Sequence, residues 1–172
     1  MNPRLERLAK VFEYPDENYA RYCHEAGLAE LAAQAESLGV AEMQELYTNT
    51  FDWNPAASLD LSWHLYGEQY ARGEFLVKMR RTLRGHGIAE TRELPDHLTH
   101  VLALMSMLEP DAAESAAREY AAPAVAKLVA ALEQAQSPFA APMRAVRAAL
   151  PVEAPIPALK KELPVLQEQT NR

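Results

Sequence analysis

Cysteine is almost missing from this chain: Cys23 is the only one among 172 residues, so neither a disulfide framework nor a thiolate zinc cluster is available. Glycine is scarce, with six residues, while alanine and leucine are frequent, and that balance favours helix over sheet. No stretch approaches the roughly 20 apolar residues that span a bilayer. Cations are outnumbered, 17 Lys and Arg against 24 Asp and Glu. The net charge of −7 argues against nucleic-acid phosphate as the main partner. It suits basic partners, though an acidic surface also serves solubility alone. Near the N-terminus Glu6 sits among Arg4, Arg7 and Lys10, and no apolar run follows, so nothing resembles a signal peptide. These absences read as a reduced, cytoplasmic protein that neither binds nucleic acid nor inserts into a membrane.

What is present is the composition of an ordinary globule, 49% hydrophobic and 24% charged, at a length that fits one domain with its own core. Apolar residues recur at helical spacing along most of it. Leu5, Leu8, Val11 and Phe12 predict a helix over 4–14, ended by Tyr14-Pro15. Asp16 is placed to cap a helix over 17–27, and Gly39 to stop one over 28–38. Met43, Leu46, Tyr47 and Thr50 share a face of a helix over 41–51, before the loop Asp52-Trp53-Asn54-Pro55. Ser58 is placed to cap a short helix carrying Leu59, Leu61, Trp63 and Leu65, and a longer one over 68–84 follows Gly67.

A helix beginning at Pro95 carries Leu98, Val101, Leu102, Met105 and Leu108 on one face and Leu104 and Met107 on the other, which predicts cover on all sides. Asp96 falls in its first turn, facing the positive end of the helix dipole. Asp111 and Glu114 resemble a capping box. Pro123 is expected to break and restart the next helix, which reaches about 136. A last helix over 138–150 is open to a kink at Pro142. No period-two run or Asn-Gly hairpin signal occurs. The pattern predicts an all-α, single-domain helical bundle of about seven to nine helices over 1–150. A proline-containing tail over 151–172, expected to lack fixed structure, follows.

Chemical motifs are few. There is no Gly-x-Ser-x-Gly elbow, no Walker or Rossmann glycine loop and no His-Glu-x-x-His pair. Cys23 lies on an apolar stripe, where a buried inert thiol is the plain reading. Asp96, His97 and His100 share a helix face, which leaves a metal-dependent hydrolase as one alternative. The plain alternative has Asp96 starting the helix, His97 bonding a loop and His100 packing. Tyr47, Phe51, Trp53, Trp63, Tyr66 and Tyr70 crowd one loop-rich span. Core packing accounts for them, and so does a peptide-binding groove edged by carboxylates. A generic helical adaptor also remains open.

Three segments narrow this choice. Leu46-Tyr47-Thr48-Asn49-Thr50-Phe51-Asp52, then Ser58 to Gly67 with Arg72-Gly73, and finally Glu93-Leu94-Pro95-Asp96-His97-Leu98 resemble the NarJ-type nitrate reductase molybdenum cofactor assembly chaperones, within the wider TorD/DmsD/NarJ family. Tyr14-Pro15-Asp16 resembles that family's first-helix ending, and order and spacing agree over about 5–110. The resemblance implies an all-helical, non-enzymatic, cytoplasmic chaperone. Such a chaperone holds the N-terminal peptide of a molybdoenzyme catalytic subunit, nitrate reductase or a related oxidoreductase, until cofactor insertion and subunit assembly. The molybdopterin cofactor belongs to the client, and molybdenum cofactor biosynthesis proteins are further partners. The positions implied for client-peptide binding are Tyr47, Phe51, Trp63, His64, Tyr66, Leu94, Pro95, Asp96 and His97, with no catalytic residue and no metal ligand.

Overall fold

Leu5, Leu8, Val11 and Phe12 are all buried in the computed structural model, which describes residues 2–152. They form the inner face of α1 (Pro3–Val11), whose first N–H groups are received by the Asn2 side chain. After α1 come α2 (Tyr19–Glu25), α3 (Ala29–Leu38), α4 (Val40–Tyr47), α5 (Leu61–Tyr66), α6 (Tyr70–Gly85), α7 (Leu98–Met107), α8 (Pro110–Ala116), α9 (Ala122–Gln134) and α10 (Ala140–Ala149). Among the described residues there is no strand, only one isolated bridge, and the protein is an all-α bundle as its periodicity predicts. The expected tail over 151–172 lies, apart from its first two residues, outside the described residues.

The hydrophobic centre is α7, packed lengthwise on α1. Leu98, Val101, Leu102, Leu104 and Met105 are inaccessible to solvent. Cover is not complete, however: Met107 is 47% exposed, because the chain turns away into α8 there. On the other side α9 buries Val125, Leu128, Val129 and Leu132 against α10 and α5.

Several ends differ from the sequence expectations for local reasons. The α7 helix begins at Leu98, not Pro95, because Pro95 and Asp96 form a turn that reaches across to α5. Asp60, not Ser58, precedes α5, while Ser58 Oγ receives the Asp60 N–H. Asp16 receives the Asn18 N–H, and α2 starts only at Tyr19. Gly39 has φ +79° with extended ψ, so it swings α3 directly into α4 instead of forming a left-handed cap. Asp111 makes no capping box: Glu109 precedes α8 with no side-chain cap, and Pro110 takes the first turn.

Two prolines are absorbed without breaks. A π-turn over Ala117–Ala121 joins α8 to α9 as one rod. It widens the helix just ahead of Pro123, which has no N–H for the usual bond and would clash in a regular turn. Pro142 lies in the first turn of α10, where N–H groups have no intrahelical partner, so no kink is needed.

A second π-turn, Thr48–Asp52, extends α4 and presents Phe51 to the core. There Tyr47, Phe51 and Phe139 stack edge to face with centroids 4.8–6.2 Å apart. The carbonyls at the C-terminus of α1 are received by two tyrosines: Tyr19 donates to Val11 at 3.0 Å and Tyr47 to Phe12 at 2.8 Å. Tyr47→Phe keeps the ring and strands a buried carbonyl. It is expected to cost about 1–3 kcal/mol in urea denaturation, without loss of helical circular dichroism.

Candidate functional site

The motif segments 58–67 and 93–98 meet at one point. Asp60 and His97 form an antiparallel bridge in which the Leu61 N–H donates to the Asp96 carbonyl at 3.2 Å and the Leu98 N–H to the Leu59 carbonyl at 2.8 Å. The Asp96 carboxylate also receives the Ser62 N–H at 2.8 Å, so it caps α5 from 34 residues away. Asp96 is completely buried, and its second oxygen, Oδ1, has no partner among the described residues. Asp96 therefore presents no exposed oxygen on the surface of this structure. Its charge faces the positive end of a helix, but that helix is α5 and not α7.

Arg72 of α6 holds the side of the joint away from the groove. It lies 3.7 Å from the Asp60 carboxylate, donates Nε–H to Ser62 Oγ at 3.2 Å and sits over the Trp63 ring at 5.6 Å. Burial, then the neighbouring Asp96 charge, push the Asp60 carboxyl up to about 6 against the pull of Arg72. His64 turns inward to donate to the Ser58 carbonyl at 2.7 Å, and burial lowers its pKa.

The two histidines of the third segment serve the other side. His97 precedes α7, and its Nδ1 accepts from the Thr99 N–H and hydroxyl, which leaves the proton on Nε2, 4.0 Å from Glu93. Burial, assisted by the nearby His100, pulls its pKa down to about 3, so the ring is neutral near pH 7. His100 Nδ1 donates to the Leu94 carbonyl at 2.9 Å, and its Nε2 accepts from Thr91. With both nitrogens engaged in holding the 91–94 loop, His100 is a structural latch and has no free nitrogen for a metal. Among the described residues no group of three His, Cys, Asp or Glu is placed to hold one. The metal-hydrolase alternative thus loses its ligand set.

This arrangement opens a groove of about 610 Å3 between α1, the end of α4, the 88–93 loop and the start of α7. Ala9, Tyr47, His97, Thr99, His100 and Ala103 make its floor. The exposed Tyr14 stands over Tyr47 at 5.5 Å, edge to face. Glu6, Glu13 and Glu93 stand on the rim with Lys10, which is paired to Glu13 at 2.8 Å, and Arg92.

Of the candidate residues, Tyr47 and His97 line this groove. Phe51 is core, Pro95 and Asp96 are buried in the joint behind it, and Leu94 is 39% exposed beside it. Trp63 and Tyr66 face α6 instead, Trp63 under Arg72 and Tyr66 at 5.7 Å from Phe75, while the His64 ring is held by the Ser58 carbonyl and its backbone carbonyl accepts from Lys127 of α9. Trp53 is 76% exposed on its loop. Glu6, Lys10, Glu13 and Tyr14 also line the groove and were not among the candidate residues; of these only Tyr14, in Tyr14-Pro15-Asp16, belonged to a segment singled out in the sequence. Cys23 is buried, and burial pushes its thiol up to about 11, so it is inert near neutral pH.

Asp96→Ala is expected to cost about 1–3 kcal/mol in thermal melts, and Asp96→Asn less, because Asn keeps an oxygen for the Ser62 N–H. The pH dependence follows from His97. Its imidazole binds a proton near pH 6.5 when unfolded but only near 3 when folded, so stability falls as pH drops through that window. Asp60 opposes this, since its raised folded pKa favours the folded state on acidification toward 4. His97→Asn, which keeps an acceptor for Thr99, is expected to flatten the acid loss in melts between pH 7 and 4, and Asp60→Asn to steepen it.

The family model described as nitrate reductase delta subunit matches residues 17–145. The chain is 30% identical over 152 residues to the nitrate reductase molybdenum cofactor assembly chaperone NarJ of Escherichia coli strain K12, covering 77% of this chain and 63% of that protein. It is 29% identical over 146 residues to the probable chaperone NarW of the same strain, covering 78% of this chain and 62% of that protein. It is also 33% identical over 101 residues to the nitrate reductase-like protein NarX of Mycobacterium tuberculosis, covering 58% of this chain but 15% of that protein. The chain thus spans a little under two thirds of the length of its Escherichia coli relatives. With the model matching most of the chain and the Tyr47, Trp63 and Pro95-Asp96-His97 segments inside the matched span, this protein belongs to the nitrate reductase delta subunit family.

Proposed function

We infer that the protein is a non-enzymatic assembly chaperone for a molybdoenzyme of the nitrate reductase type. It holds the N-terminal peptide of the client's catalytic subunit until cofactor insertion and subunit assembly are complete. The observation that carries this reading is the groove: an apolar and aromatic floor, a neutral imidazole and a carboxylate-bearing rim, built at the junction of the motif segments that the family resemblance singles out. The names of the Escherichia coli relatives, both nitrate reductase molybdenum cofactor assembly chaperones, support the client class.

The chemistry suits a basic, partly apolar peptide. Glu6 and Glu93 on the rim attract Lys or Arg and raise the rate of encounter more than the final affinity. Tyr14 and Tyr47 accept an apolar side chain on rings whose freedom is already restricted, so little entropy is lost on binding. His97 keeps its Nε2–H toward Glu93 and the groove, where it is a neutral donor for a peptide carbonyl or for the rim itself. Asp96, Pro95 and His100 act one layer behind, keeping the loop and both helix starts in register. No helix among the described residues is long and apolar enough to cross a membrane. The molybdopterin cofactor is carried by the client, with molybdenum cofactor biosynthesis proteins as further partners.

Titration calorimetry with a synthetic peptide of the N-terminus of the host's nitrate reductase catalytic subunit tests this. Glu93→Lys and Tyr14→Ala are each expected to weaken binding about tenfold, near 1.4 kcal/mol, with unchanged melting temperature. Tyr70→Ala, on the exposed face of α6, is the control and leaves affinity as it was. Equal affinity across all three variants and wild type removes the groove as the binding site.

A further inference from the structure

The described chain ends at Val152, against Pro110, Asp111 and Glu114 at the start of α8. The same end of the molecule holds the start of α1, since the Asn2 N–H donates to the Ser106 carbonyl at 2.8 Å near the end of α7. From there the groove face of α1 runs through Glu6, Ala9, Lys10 and Glu13. At 1.5 Å per residue, the far end of that face is about 17 Å along α1.

Beyond Val152 the sequence contains Ile156-Pro157-Ala158-Leu159-Lys160-Lys161-Glu162-Leu163-Pro164-Val165-Leu166. This is a basic pair set among apolar residues, the chemistry that the acidic-rimmed, aromatic-floored groove selects. Its two lysines complement the three carboxylates on the rim, Glu6, Glu13 and Glu93, of which Glu13 is already paired with Lys10, and its leucines suit an apolar floor. Reach is ample: Lys160 lies eight residues past Val152, about 26 Å of extended chain, and Leu166 about 46 Å. The other half-open surfaces match less well. The hollow at Leu28 and Pro142 carries only Glu30 as a charged lining residue, the one along α6 sets Lys78 and Arg81 beside Glu74, and the acidic one at Pro110, Asp111 and Glu114 has no aromatic side chain in its lining.

We propose that the segment Ile156–Leu166 of this chain occupies the groove when no client is bound, as an intramolecular competitor for the client peptide. The regulatory part rests on the peptide-holding function inferred above; the seating of the tail does not. Tethering gives such a segment an effective concentration on the order of 1 mM, so even a segment that binds only near 0.1 mM on its own reduces client affinity about tenfold. Only a peptide with a better fit displaces it, which protects the apolar floor and raises selectivity.

The test uses the full chain, labelled with 15N, as wild type and as a Leu159→Ser, Lys160→Glu, Lys161→Glu variant, whose substitutions lie outside the described residues. Backbone amide shifts are expected to differ at Lys10–Tyr14, Thr91–Glu93 and His97–His100, and equally after tenfold dilution. The variant is expected to bind the nitrate reductase N-terminal peptide about tenfold more tightly than wild type. Coincident spectra at those amides with equal peptide affinity overturn the tail seat and leave the chaperone function standing. Differences confined to Pro110–Glu114 overturn it as well. Differences that vanish on dilution show the tail of a second copy in the groove and overturn the intramolecular form. Groove shifts with no peptide binding by either protein uphold the tail seat and count against the chaperone function.

Discussion

The buried carboxylate of Asp96 is the constraint from which the site follows. The α5 helix has six residues and no side-chain cap of its own, and a helix that short does not persist in water. Asp96 supplies it with two acceptors at once, its carbonyl to Leu61 and its carboxylate to Ser62. In return the Leu59 carbonyl receives the Leu98 N–H, so the start of α7 depends on the segment that Asp96 orders. Two helix starts, more than thirty residues apart in sequence, are thereby fixed against each other. Complete burial removes competing water and strengthens each of these bonds, at the expense of one carboxylate oxygen without a partner among the described residues.

Around that joint the protein separates rigidity from reception. On the inner side, Arg72, Ser62 and Trp63 close the joint against α6, and tyrosine hydroxyls satisfy the carbonyls that end α1. On the outer side, His100 ties the 91–94 loop to α7, and the groove opens between that loop and α1. The His97 ring belongs to both: its Nδ1 caps α7 while its Nε2 faces Glu93. Burial keeps it neutral, so this ring adds no positive charge to the groove that would repel a cationic guest. A receptor surface backed by buried hydrogen bonds loses little entropy on binding, which is the physical content of preorganisation.

Helix identity was legible because it depends on neighbours in sequence. The 3.6-residue recurrence of Leu5, Leu8, Val11 and Phe12, or of Leu98, Val101, Leu102 and Met105, marks a buried stripe wherever the partner lies. Helix ends were less legible, because they are settled by which acceptor is close. Pro95 and Asp96 carry every local sign of a helix start, yet an acceptor demand from α5 draws them into a turn instead. Pro123 carries the sign of a break, yet a π-turn upstream absorbs it. The site was half legible. Tyr47 and His97 line the groove, whereas Trp63 and Tyr66 lie against Arg72 and Phe75 of α6, contacts between residues far enough apart that local pattern does not show them.

By itself, then, the sequence determined the all-helical class of the described residues, their buried stripes, the single cysteine that leaves no disulfide framework, and the segments that mark the family. These rest on local periodicity and residue type, which no tertiary contact alters. Only the tertiary structure decided that Asp96 faces inward, that His100 is a latch, and that Glu6 of the first helix and Glu13 and Tyr14 just after it share a groove with His97. Each of those outcomes is a pairing between groups distant in sequence, decided by which buried N–H finds which oxygen once water has been excluded.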